Sequence, residues 1–162
     1  MSLKDKIKIR RALKFATKKH KGQFRAGGDE YITHPLAVCE YVKAWGYGAD
    51  FQICALFHDL LEDTDATESE ILKLGGKDVL DAVKALSKKP GYVMREYIDG
   101  IKKNEMAKVV KTADRIHNLK CATVTNDDFK RRYIEESRRW YADFSPEIST
   151  LADKLEKTLD TV

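Results

Sequence analysis

The chain has 162 residues, 43% of them apolar and 35% charged, with a net charge of +4. That length suffices for one domain with a true hydrophobic core, and no apolar run approaches the ~20 residues needed to cross a bilayer. The mild positive balance suits an anionic small molecule and is too weak to argue for nucleic acid.

The elements read as helical nearly throughout, because glycine and proline are scarce (nine and three) and no long alternating β pattern occurs. Met1 to Lys6 is charged, with no apolar stretch behind it, so no secretory signal is expected. Residues 3–20 place Ile9, Leu13, Ala16 and His20 at helical spacing. A loop follows at 21–33, with Gly22, Gly27 and Gly28. Pro35 favours the start of a helix running to about Trp45, closed by Gly46 and Gly48. A largely apolar helix spans about Asp50 to Glu62. Thr67-Glu68-Ser69-Glu70 has the capping-box form and opens a short helix ended by Gly75-Gly76.

Residues 77–88 form another helix, stopped before Pro90-Gly91, and helices at about 93–103 and 105–121 come next. Asn126 or Asp127 caps a long helix through Phe144, and Ser145-Pro146 starts the last one. There is no internal repeat and no interdomain linker. The expected fold is all-α, a single helical bundle of about seven or eight helices. Cys39, Cys54 and Cys121 are widely spaced and odd in number, which reads as reduced thiols in a cytoplasmic protein.

The informative stretch is Leu56-Phe57-His58-Asp59-Leu60-Leu61-Glu62-Asp63-Thr64. Ionisable side chains are costly in apolar surroundings unless they are paired or bind a metal. Taken alone, His58-Asp59 reads equally as a salt-bridged polar pair, Asp114 as an ion pair with Arg115 or Lys111, and His34 as a helix-cap histidine. Together, His34, His58, Asp59 and Asp114 offer two imidazoles and two carboxylates. That set suits an octahedral divalent ion such as Mn²⁺, Fe²⁺ or Mg²⁺ better than a closed structural zinc site. Glu62 and Asp63 fall one turn after His58 and Asp59, placed to manage protons.

Lys111 reads either as a phosphate contact or as electrostatic support for the carboxylates. His20 and His117 read as core-edge or supporting histidines that orient ligands rather than as ligands. Lys130-Arg131-Arg132 and Arg138-Arg139-Trp140-Tyr141 form a basic, aromatic stretch. It reads as an anion-binding surface or, preferably, as a helix whose Glu135 and Glu136 pair with arginines. Tyr133, Trp140, Tyr141 and Phe144 read as core.

These residues resemble the H…HD…D signature of HD-domain metal-dependent phosphohydrolases. The longer segments His20-Lys21-Gly22-Gln23-Phe24-Arg25, Tyr31-Ile32-Thr33-His34-Pro35-Leu36, Ala55 to Thr64 and Lys111 to Leu119 resemble the RelA/SpoT-type alarmone hydrolases over roughly residues 9–121, in the right order. The chain is similar to the small stand-alone members. The resemblance implies one HD-type domain over residues 1–162, with the motif-bearing core followed by C-terminal helices at 126–160. It implies Mn²⁺-dependent hydrolysis of ppGpp or pppGpp to GDP or GTP plus pyrophosphate, by attack of metal-bound hydroxide. The implied metal ligands are His34, His58, Asp59 and Asp114; the implied catalytic carboxylates are Glu62 and Asp63.

Arg25 matches an arginine that packs on the base, and Tyr31 and Asn118 match substrate-contacting positions. After the loop arginine the family usually has a basic residue, then a small polar one; here Ala26 and Gly27 remove one charge. Cys121 stands where a hydroxyl or other polar residue is common. Two other readings stay open: a phosphohydrolase for a nucleoside mono- or triphosphate, and a non-catalytic nucleotide-binding module. The expected partner is a small-molecule nucleotide, not a membrane or a nucleic acid.

Overall fold

The computed structural model describes residues 1–159, and the last position of the C-terminal helices expected at 126–160 lies outside the described residues. The fold is all-α, as expected. Among the described residues ten α-helical segments follow one another: α1 (Leu3–Lys19), α2 (Thr33–Ala44), α3 (Ala49–Phe57), α4 (Leu60–Asp63), α5 (Glu68–Gly75), α6 (Lys77–Leu86), α7 (Met94–Lys102), α8 (Glu105–Cys121), α9 (Asp127–Glu136) and α10 (Pro146–Glu156). A 3₁₀ turn (Ala122–Val124) follows α8, and a π-turn (Ser137–Tyr141) follows α9. Among the described residues no helix is long and apolar enough to cross a membrane.

The central element is α3. Gln52 to Phe57 are all buried, the pattern of a helix enclosed on every side. It packs against α1, α2, α6 and α8. Phe57, Ile53, Leu56 and Leu60 form the middle of the core with Ile71, Ile101, Ile116 and Ile148. Side-chain caps set several helix starts where the sequence places them: Thr67 on Glu70 in a full capping box, Asn126 on Phe129, and Ser145 on Glu147 before Pro146; a second capping box, Ser2 with Asp5, opens α1.

The continuous helix expected over Asp50 to Glu62 is broken at the His58-Asp59 doublet. The His58 Nδ1–H donates to the Ala55 carbonyl at 2.7 Å. Asp59 then takes φ −100°, ψ −4°, and α4 restarts at Leu60. The long helix expected through Phe144 instead widens into the π-turn, where Ser137 Oγ donates to the Tyr133 carbonyl at 2.6 Å. The 21–33 loop is a small hairpin: Phe24 and Glu30 form an antiparallel bridge, and Arg25 N–H donates to the Asp29 carbonyl. Gly28, at φ +94°, makes its turn, a conformation that glycine adopts without steric cost.

Candidate metal centre

Three separate elements converge. The first turn of α2 supplies His34, the α3–α4 break supplies His58 and Asp59, and the middle of α8 supplies Asp114. His34 Nε2 lies 3.1 Å from Asp114 Oδ1 and 3.3 Å from His58 Nε2. His58 Nε2 lies 3.0 Å from Asp59 Oδ2 and 3.7 Å from Asp114 Oδ1, and His34 Nε2 lies 3.7 Å from Asp59 Oδ2. One donor atom each from His34, His58 and Asp59 fall within 4.8 Å of one another. Donors on neighbouring corners of an octahedron with ~2.1 Å bonds stand ~3 Å apart, so the separations among His34, His58 and Asp59 suit a single ion, and Asp114 Oδ1 lies against both imidazoles beside that group.

The hydrogen bonds decide which lone pairs face inward. His58 uses its Nδ1–H on Ala55, so its Nε2 presents a lone pair to the carboxylates of Asp59 and Asp114. A positive charge has to sit among these atoms, either a proton or a divalent cation. Burial opposes charge on His58, yet Asp59 and Asp114 outweigh it and push the imidazole up to about 10. The same demand is what a divalent cation answers, and two imidazoles with two carboxylates are donors such an ion accepts.

A second ring of contacts orients the first. His34 Nδ1 lies 2.8 Å from His117 Nδ1, the two rings stacked at 5.0 Å. Burial, with His34 and Arg25 nearby, pushes His117 down to about 4 and keeps it neutral. A neutral His117 accepts the His34 Nδ1–H and leaves His34 Nε2 as a lone pair toward the centre. Burial would raise Asp114, but Lys111, at 2.8 Å, holds its carboxyl well below the usual range, with His34 and His58 assisting. Asn118 Nδ2 donates to Asp114 Oδ1 at 2.7 Å, while its Oδ1 accepts from Arg25 Nη2 at 2.9 Å. Tyr31 donates its hydroxyl to Asp59 Oδ2 at 2.6 Å. Burial and the Asp59 charge push that phenol up, so it remains a donor.

The carboxylate pair divides. Glu62 Oε2 accepts the Lys88 backbone N–H at 2.9 Å, tying α4 to the segment before α7. Asp63 is pushed up to about 6 by burial, then by Asp59 and Glu62. A carboxyl near neutrality can both take and give a proton at physiological pH. Lys111, read from sequence as a phosphate contact or as support, has its ammonium turned to Asp114.

Gln23 was not singled out from sequence. Its amide donates to the Asp63 carbonyl at 2.7 Å and accepts from His20 Nδ1 at 2.7 Å, joining the loop to α4. Its place between His20 and the loop arginine was the one available hint. The Lys88–Glu62 bond left no trace in the sequence, because a backbone N–H carries no residue identity.

Arg25, Tyr31, His117 and Asn118 line an open cavity of about 610 Å³ beside this centre. Tyr133, expected in the core, also lines it, stacked on Phe129 with ring centroids 5.4 Å apart. The expected pairing of Glu136 with an arginine of its own helix is not what forms: Glu136 pairs with Arg115 of α8, while in the basic stretch Arg138 pairs with Asp153 and Glu156 of α10 and Lys130 with Asp127.

The HD-domain family matches residues 12–147. A guanosine-3′,5′-bis(diphosphate) 3′-pyrophosphohydrolase of Spiroplasma citri is 31% identical over 160 residues, covering 91% of this chain and 21% of that protein. The bifunctional (p)ppGpp synthase/hydrolase SpoT of Escherichia coli K12 is 33% identical over 150 residues, covering 85% and 21%. The chain thus spans about a fifth of the length of the curated relatives it matches. A solved structure described as a metazoan ortholog of SpoT that hydrolyzes ppGpp superposes with a TM-score of 0.76, at 25% identity over 93% of each chain.

Proposed function

This chain belongs to the HD-domain family, and we propose that it hydrolyses guanosine 3′,5′-bis(diphosphate) at the 3′ position, releasing pyrophosphate. The observation that carries the reading is the meeting of His34, His58 and Asp59 within one ion's reach, with Asp114 Oδ1 against both imidazoles and the Asp63 carboxyl pushed up to about 6 beside them. Relatives whose names state this activity support it.

In this reading His34, His58, Asp59 and Asp114 hold one divalent cation, with Mn²⁺ the first choice and Fe²⁺ or Mg²⁺ the alternatives. Such an ion supplies acidity to water near neutral pH and positive charge to the phosphoryl oxygens. The chain's own groups do the rest. Asp63 takes a proton from the attacking water and Glu62 orients that water. The bond between phosphorus and the ribose 3′-oxygen breaks, the 3′-oxygen recovers a proton, and pyrophosphate departs. Tyr31 fixes Asp59, and Lys111 and Asn118 fix Asp114. Arg25 lays its guanidinium at the cavity wall, where it can stack on a purine.

The test is a nucleotide panel with Mn²⁺, comparing the wild-type protein with Asp59→Ala. Pyrophosphate from ppGpp, absent in the variant, is the expected result. Orthophosphate from nucleoside monophosphates instead would transfer the chain to another HD phosphohydrolase activity.

A further inference from the structure

The cavity beside the centre is poor in positive charge. Among the described residues that line it, Arg25 is the one lysine or arginine, and Asp29 is an opposing acid. Arg25 is already engaged with Asn118 at the end nearest the centre. The far wall is apolar and aromatic: Phe24, Val124 and Phe129 are exposed large side chains, and Phe129 stacks on Tyr133. The remaining polar lining is hydroxyl, amide, thiol and imidazole, donors suited to a base and a ribose rather than to several phosphate charges.

Tyr31, His117 and Asn118 link this cavity to Asp59, His34 and Asp114. A nucleotide whose 3′-diphosphate lies at the centre therefore lays its nucleoside and its 5′ group here. Each 5′-phosphate brought in exchanges water for a wall without a matching cation and with a carboxylate nearby. Desolvated charge without a partner opposes binding, and like charges brought together at an interface do so as well.

We infer that this site selects nucleoside 3′-diphosphates with the fewest 5′-phosphates, taking pGpp ahead of ppGpp and ppGpp ahead of pppGpp. The inference rests on the proposed nucleotide hydrolysis for its orientation of the ligand. Gly27 offers a direct test. It lines the cavity, and a Cβ there meets only the Val124 methyl at 3.7 Å, ordinary van der Waals contact. A lysine at this position adds a positive charge to the cavity wall without displacing backbone.

The experiment measures kcat/KM for pGpp, ppGpp and pppGpp with Mn²⁺. It also measures the affinity of the same three nucleotides for the Asp63→Asn variant, which separates binding from turnover. Wild-type kcat/KM and affinity should fall at least about tenfold from pGpp to pppGpp. Gly27→Lys should shrink that ratio about two- to fivefold, the range of an exposed ion pair. If Gly27→Lys does not fold by circular dichroism, Thr123→Lys, on the same cavity wall, serves in its place. A flat or rising series in wild type, or a ratio unmoved by either folded lysine variant, overturns the inference. Falling affinities with no pyrophosphate from any nucleotide would retire the hydrolase reading and leave this one standing.

Discussion

Replacing Lys111 by methionine removes the cation that compensates Asp114 while keeping most of the stem. The pair is 2.8 Å apart, with side-chain exposures of 14% and 6%. Breaking one partner of a buried pair costs about 3–5 kcal/mol, because the other charge is left uncompensated. Asn118 still donates to Asp114, and His34 and His58 remain beside it, so the low end, ~3 kcal/mol, is expected. For a chain of this size each kcal/mol shifts Tm by about 2–4 °C, which places Lys111→Met about 6–12 °C below wild type in chelator. If the proposed site holds Mn²⁺, the ion should reverse much of this. The variant loses the ammonium that repels a bound cation, so at equal saturating Mn²⁺ its extra stabilisation over wild type is RT ln of the ratio of the two Kd values, and a Kd about 13-fold tighter closes half of the ~3 kcal/mol gap. Thermal melts by circular dichroism, with chelator and with saturating Mn²⁺, read both quantities. The gap between the two proteins should at least halve with Mn²⁺. A gap under about 2 °C in chelator, or one that Mn²⁺ leaves unchanged, refutes the assignment of Lys111 as the counter-charge of a cation site.

Asp59→Ala should lose both Mn²⁺ binding, measured by calorimetry, and hydrolysis, whereas Glu62→Gln should bind Mn²⁺ normally and lose most turnover. Asp63, pushed up to about 6, gives stability that is fully present below pH ~4 and lost as pH rises through 6. Asp63→Asn should therefore melt higher than wild type at pH 7, by about 1 kcal/mol after allowance for its solvent exposure. That difference should vanish below pH ~4, and the acidic limb of kcat/KM near pH 6 should disappear in any residual activity. His117→Phe removes the acceptor that orients His34 and should weaken Mn²⁺ about 10–100-fold at unchanged fold. A Kd within twofold of wild type would reject that role.

Much of this molecule could be read from residue order. The helical periodicity, the Thr67, Asn126 and Ser145 caps and the scarcity of glycine and proline are local signals, and they specified an all-α chain. The His58-Asp59 doublet inside an apolar run marked the centre, because unpaired charge there is too costly to be incidental. Local signals stop where contacts link distant segments. The helix break at His58 depends on a side chain bonding the Ala55 carbonyl, and it directs both His58 and Asp59 toward His34. The His34–His117 contact, the Lys111–Asp114 pair, the Gln23 bridge and the tie from Lys88 to Glu62 join residues by geometry. The residue types forming the centre were thus set by sequence. Their tautomers, their compensating charges and the charge-poor cavity beside them were decided by tertiary packing, since electrostatic energy depends on distances that no spacing along the chain encodes.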